Sequence, residues 1–355
     1  MKSKVYFTAV KDSDPVEAVN ERLKDLLDAS DLLGFIRKDD KVAVKLHFGE
    51  AGNVNFVNPE HLRVVCGGIT AKGARPFLSD ANTLYRGRRL NSRDHLQLAY
   101  EHGFTKDKTG AEVIIPDDNK KEDTIDIRID QEFIRTAKVA RVFIDADALV
   151  VVSHFKGHGL TGFGGALKNI GMGCATREGK LAQHCDVSPV VYTDKCIGCG
   201  ACAKICPAGA VRIENKKSAI DGKKCIGCAS CLAVCPTMAM FIDFGASDKV
   251  QLKMAEYSSA VLKNKKGKAG FLSFAVKISK ECDCWSLENP LIGPDAGILA
   301  SLDPVSIDKA CLDIVNKNCG RDIFKAAHPG EDGMKQLTHA RDIGLGNLDY
   351  ELIEL

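Results

Sequence analysis

The sequence predicts an α/β protein built on a largely parallel sheet and interrupted by a small cysteine-rich unit. Three observations lead there. Short apolar runs alternate with amphipathic stretches on both sides of the chain's middle, as strand–helix–strand units do. The 355 residues exceed what one hydrophobic core usually holds, about 250–300. Eight of the 15 cysteines crowd between Cys196 and Cys235.

KVYFTAV (4–10) reads as the first strand. Asp14 and Pro15 open a helix in which Val16, Val19, Leu23, Leu26 and Leu27 recur at helical spacing. KVAVKLHF (41–48) is a buried strand, and Asn58 with Pro59 caps a helix to about Ala71. RPFLSD (75–80) is a strand, and NSRDHLQLAYEHG (91–103) is a helix stopped by Gly103. EVIIP (112–116), TIDIRI (124–129) and ALVVVSHF (148–155) are further strands. Downstream lie a helix from about Asp248 to Leu262, the strand GFLSFAV (270–276) and a helix from Ser306 to Asn316. The run from Lys263 to Lys268 reads as a solvated helix end and turn. Neither flank stands alone, so residues 1–186 and 245–355 are expected to form one domain with 187–244 inserted in a surface loop.

With 45% hydrophobic and 27% charged residues the chain is neither disordered nor fibrous. A net charge of +2 gives no field to hold nucleic acid or an anionic membrane. No stretch approaches the roughly 18 apolar residues of a membrane span, and MKSKVYFTAVKDSDP lacks the apolar run of a signal peptide. A reducing cytoplasm is therefore the expected setting, where clustered thiols mean metal or redox chemistry rather than disulfides.

The dense block is an internal duplication. Cys196, Cys199, Cys202 and Cys206 precede Pro207, and Cys225, Cys228, Cys231 and Cys235 repeat the spacing before Pro236. This is the bacterial ferredoxin signature of two 4Fe–4S clusters, in which the fourth cysteine of each run crosses to the other cluster. The expected sets are Cys196, Cys199, Cys202 and Cys235, and Cys225, Cys228, Cys231 and Cys206. Zinc fits less well, because its knuckles are pairs set far apart. The insert is thus expected to be an α+β bacterial ferredoxin-like domain.

Outside it, VVSHFKGHGLTGFGGALKNIGMG carries His154, Lys156 and His158 into a glycine-rich loop at a strand end, where parallel α/β sheets bind ligands. Gly157, Gly159 and Gly162 formally match a dinucleotide fingerprint, but Gly171 and Gly173 spoil the helix it needs. An anion- or substrate-binding loop and a structural turn both remain open. KLHFGEAGN (45–53) delivers Lys45, His47 and Glu50 in the same way. The third strand-end loop holds Asp80, Asn82, Arg86, Arg88 and Arg89 and suits a carboxylate or phosphate, or is an ordinary polar turn. Cys282-Asp283-Cys284 stands beside the only tryptophan, Trp285. In a turn the pair would grip one soft metal or close as a redox disulfide, with Cys174, His184 and Cys185 as candidates to complete the set; buried, inert cysteines are the plainer reading. Cys66, Cys311 and Cys319 read as core residues on helices. No Ser/His/Asp arrangement, Walker sequence or H-E-x-x-H stands out.

These segments, with SDANTLYRGRR, CDCW and GPDAGILASLDPVSIDKA, resemble the ferredoxin-containing form of the bacterial and archaeal family known as domain of unknown function 362. The resemblance runs over nearly the whole chain. It implies a cytoplasmic iron–sulfur protein and supplies no catalytic residue. The expectation is an oxidoreductase in which two clusters relay electrons to or from a site made by Lys45, His47, His154, Lys156 and His158, with a possible extra metal at Cys282 and Cys284. A ferredoxin, flavodoxin or reductase-like redox partner and a small-molecule substrate go with it. A non-enzymatic carrier with a docking domain and a structural or regulatory iron–sulfur protein are the alternatives.

Overall fold

The computed structural model describes residues 2–117, 120–184, 188–242, 249–286 and 289–355. Eight strands form the main sheet: β1 (Ser3–Thr8), β2 (Lys41–Lys45), β3 (Arg75–Ser79), β4 (Glu112–Ile114), β5 (Ala148–His154), β6 (Ala269–Ala275), β7 (Gly297–Ser301) and β8 (Tyr350–Glu354). Their order is β8-β1-β7-β6-β5-β2-β3-β4. Every neighbouring pair is parallel except the two made by β7, which runs against β1 and β6. Strands from both sides of the cysteine-rich stretch therefore share one sheet.

Successive strand residues face opposite sides, so a central strand must be apolar throughout. β5 is buried along its whole length. Val150 and Val152 join Val42, Val44 and Leu272 in a core with Leu23 and Leu26 of α1 (Val16–Ser30) and Leu62 and Val65 of α2 (Pro59–Ala71). Leu149 and Val151 join Ala43, Phe271 and Leu299 in a core on the other face. That core takes in α3 (Ala166–Gly171), α5 (Val250–Leu262) and α6 (Pro304–Cys319), with α4 (Arg177–His184) alongside. The result is a three-layer α/β arrangement with β2, β3 and β5 ending on the same edge.

Several expectations shift. TIDIRI does form a strand, Thr124–Arg128, but it pairs with Thr136–Ala140 in a ribbon outside the main sheet. The formal dinucleotide fingerprint folds as a hairpin, Lys156–His158 against Gly162–Gly164, and not as a strand opening into a long helix. Gly162 takes φ +72° at its tip, a left-handed conformation that suits glycine. The lysine run is not simply solvated: Lys265 is 2% exposed, and its ammonium donates to Ile144 O at 2.7 Å and Ala146 O at 2.5 Å. Burial lowers its pKa to about 8.

Segment 188–242 contributes no strand to the main sheet. Val190–Val191 pairs with Met240–Phe241, and Val211–Glu214 with Lys217–Ile220. Two short helices, Ala201–Ile205 and Ser230–Val234, carry the third cysteine of each run, Cys202 and Cys231. Leu84, Leu181, Ala229 and Ile242 form a separate small core that joins the segment to the rest. Among the described residues, no helix is long and apolar enough to cross a membrane.

Candidate functional site

A cavity of about 760 Å³ opens where β2, β3 and β5 end, and is walled by the loops that follow them and by the turn around Cys282. This volume lies in the range of small-molecule sites. Lys45, the last residue of β2, is fully buried and yet charged groups surround it. Its Nζ lies 2.9 Å from Asp80 Oδ1 and donates to Asn169 Oδ1 at 2.6 Å. Gly173 makes room for it, since a Cβ there would sit 2.5 Å from that nitrogen. Arg89 reaches Glu50 at 3.2 Å and Asp80 at 3.5 Å. Burial opposes ionisation of Asp80, but Lys45 foremost, with Arg89, holds its pKa below the ordinary carboxylate range. The chain thus sets paired charges at the cavity floor, as a buried charge requires.

A second network fixes the turn Cys282–Trp285, closed by Trp285 N–H donating to Cys282 O at 2.8 Å. Asp283 is fully buried; its Oδ1 lies 2.6 Å from His154 Nδ1 and its Oδ2 3.0 Å from Lys156 Nζ. Burial works against this carboxylate, but His154 and Lys156 hold its pKa well below the usual value. The other ring nitrogen of His154 faces Val276 O at 2.9 Å. Both nitrogens are therefore engaged, and His154 does not line the cavity.

His47 and His158 do line it, and they share one device. A backbone N–H two residues on donates to Nδ1: Gly49 to His47 at 2.9 Å, Leu160 to His158 at 3.1 Å. Burial drives both rings well below the usual histidine pKa. A neutral ring whose Nδ1 accepts must carry its proton on Nε2.

Both cysteines of the turn line the cavity. Lys168 Nζ, on α3, lies 3.1 Å from Cys282 Sγ. Hydrogen bonding from the Cys284 thiol, with Lys168 and Lys156, brings the Cys282 pKa well below that of a free thiol despite its burial. The same hydrogen bond, with burial, raises Cys284 correspondingly. Cys174 does not join them: it is fully buried, burial pushes it up to about 12, and it lies off the cavity wall. His184 lines the wall, and Cys185 lies outside the described residues. Among the described residues, no group of three or more His, Cys, Asp or Glu side chains is placed to hold a metal ion. Cys66 and Cys311 are buried on α2 and α6, and Cys319 ends α6.

The two cysteine runs repeat each other in three dimensions. Gly198 and Gly227 take φ +68° and +70°, and the next left-handed positions are Gly200 at +76° and Ala229 at +56°. Ala210 N–H donates to Cys206 Sγ and Ala239 N–H to Cys235 Sγ, each at 3.2 Å. Cys206, Cys225, Cys228 and Cys231 line one pocket together with Val211, Ile220 and Ile226. Cys196 and Cys202 both approach Ser218 Oγ, at 3.5 and 3.1 Å.

Of the predicted cavity residues, Lys45, His47, Lys156 and His158 come together, as do Glu50, Asp80 and Arg86, Arg88 and Arg89 of the other two loops. Asn82 instead turns to Pro116 O and Ser92. Sequence reasoning missed Asp283, Lys168, Asn169 and Lys180 as site residues; the one local signal was an acid set between two cysteines.

Fold and site together define an α/β protein with a charged, thiol-bearing cavity at the carboxyl ends of a mostly parallel sheet. The chain belongs to the family described as domain of unknown function 362 (DUF362), whose model matches residues 42–313. No curated protein matches it. Among solved structures it is similar to the lactate racemase apoprotein from Thermoanaerobacterium thermosaccharolyticum, at 13% identity and a TM-score of 0.40, over 78% of this chain and 51% of that one. A structural-genomics protein from Thermotoga maritima is similar at 13% identity and a TM-score of 0.42, over 86% and 58%. The chain spans little more than half the length of either.

Proposed function

We propose that this is an iron–sulfur oxidoreductase: segment 187–244 is a two-cluster ferredoxin-like insert that serves the cavity of the α/β domain. The observation that carries the reading is the contact between them. Leu84, from a loop that walls the cavity, shares a small core with Leu181, Ala229 inside the second cysteine run and Ile242, and Arg86 on the same loop donates to Pro236 O at 2.9 Å. A carrier with a mere docking domain has no need of a charged cavity against one cysteine run.

The cysteine spacing suits 4Fe–4S clusters, although the described side chains are not gathered as a metal site. Four that the spacing assigns to one cluster line one pocket, amides donate to the two crossing sulfurs, and apolar side chains surround them. Cys196, Cys199, Cys202 and Cys235 would hold the other cluster. When bound, the clusters supply single electrons at a potential set by hydrogen bonds and exposure. In the cavity, His47 and His158 offer Nε2–H groups to a substrate or to proton transfer. Lys45 and Lys156 contribute positive charge, and His154 is a positioning residue that acts through Asp283. Ile197 and Ile226, 66% and 57% exposed at equivalent points of the two runs, fit a redox-protein partner.

Anaerobic purification with iron, sulfide and paramagnetic resonance analysis tests this. About eight irons and eight sulfides per chain are expected, with reversible reduction. Protein purified in this way without iron, or with clusters that cannot be reduced, overturns it.

A further inference from the structure

The turn Cys282–Trp285 is pinned from every side but one. Asp283 is held by His154 and Lys156, and its carbonyl accepts Glu50 N–H at 2.9 Å. The Cys284 carbonyl accepts Tyr85 Oη–H at 3.2 Å, and the Trp285 carbonyl accepts Asn53 Nδ2–H at 3.1 Å. The unpinned side is the cavity, which both cysteines line. Lys168 stands 3.1 Å from one of them.

We propose that Cys282 and Cys284 are a redox-active dithiol that reduces a small disulfide inside the cavity. The proposal rests on the cavity being the reaction site, as argued above, and names its substrate class. A cationic neighbour favours the thiolate, which is the form that attacks a disulfide. The substrate must be small because Cys282 is only 3% exposed, so a disulfide on a folded protein cannot reach it, whereas a molecule that fits the roughly 760 Å³ cavity can.

The step balances as follows. Cys282 Sγ, as thiolate, bonds to one sulfur of the substrate, the substrate S–S bond breaks, and the departing thiolate takes a proton. Cys284 Sγ then bonds to Cys282 Sγ, the mixed disulfide between Cys282 and the substrate breaks, and the departing second substrate sulfur takes the Cys284 proton and leaves as a thiol. The small disulfide has been reduced to two thiols and the protein dithiol oxidised to a disulfide. Two electrons, passed one at a time from a low-potential one-electron donor, and one proton from solvent restore the Cys282 thiolate and the Cys284 thiol. Lys168 stabilises the attacking and the re-formed thiolate.

Trypsin releases Glu281–Lys309, whose only cysteines are Cys282 and Cys284. The full chain, purified anaerobically, is equilibrated with mixtures of reduced and oxidised glutathione, alkylated, digested and weighed. The expected result is that this peptide passes from doubly alkylated to internally linked as the mixture becomes oxidising, and returns with dithiothreitol. Cys284→Ser should trap glutathione on Cys282, and Lys168→Met should slow alkylation of Cys282 about tenfold. A peptide alkylated at every mixture overturns the proposal, as does glutathione trapped equally on Cys284 in Cys282→Ser. A folded protein disulfide reduced as fast as oxidised glutathione overturns the small-substrate assignment. Iron and sulfide are measured on the same samples, so failure of the thiol couple is separable from failure of the iron–sulfur reading.

Discussion

In the α/β body, β5 is buried on both faces, and its alternate residues enter two separate cores that include most of the helices. In segment 188–242 the corresponding core has four buried members, Cys202, Val211, Cys231 and Met240, and two of them are thiols. Ile197, Ile226 and Met238 there stay more than half exposed. A unit of this size buries too little apolar surface to offset its chain entropy and needs a staple or a metal. The body is thus held by packing, and on the iron–sulfur reading proposed above the segment is expected to depend on what bridges its sulfurs.

The largest expected effect tests that dependence. Stripping iron with a chelator, or Cys231→Ser, should remove amide-exchange protection over 188–242 almost entirely and leave β2, β5 and β6 protected. Full protection of the iron-free segment would break the comparison. Leu272→Ala, in the fully buried centre of β6, should cost about 2–5 kcal/mol in urea unfolding of the body with iron content unchanged. Leu84→Ala acts on the join itself. It should weaken docking by about 2 kcal/mol, read as faster exchange at Leu181 and Ile242 while the β5 amides hold.

Acid also separates the regions. Burial lowers His61 to about 4 and His95 to about 3, against an ordinary value of 6.5. The unfolded chain then binds more protons below pH 6.5, so body stability is full above that and falls with acid by about 1.4 kcal/mol per pH unit for each ring until its folded pKa is reached. Urea midpoints from pH 7 to 4.5 should show the slope, and His61→Gln should remove one ring's share. Arg86→Ala, which loses only the exposed bond to Pro236 O, should change docking by under about 1 kcal/mol.

What the sequence made legible follows the range of the signal. The duplication of the two cysteine runs was readable because its spacing is local, and β2, β3, β5 and β6 because their short runs are mostly apolar. The strand-end loops were readable because glycine and charge collect where strands stop. β7 and β8 were not. β7 lies in GPDAGILASLDP, where glycine and proline mask three apolar residues, and β8 is an edge strand whose half-exposed residues show little period. Lys265 looked like surface because its partners, the carbonyls of Ile144 and Ala146, are remote in sequence. Asp283 was hidden for the same reason: its role appears only when β5 brings His154 and the hairpin brings Lys156 to it.

The short ribbon of Val190–Val191 with Met240–Phe241 has a consequence for how such a chain can be rearranged. Its paired residues stand about 5 Å apart, so the chain enters and leaves the segment at nearly the same point. A turn of a few residues would close that gap without disturbing any strand of the main sheet. Replacing residues 191–240 by a short linker is therefore expected to leave the main-sheet strands in register, since none of them lies in the segment.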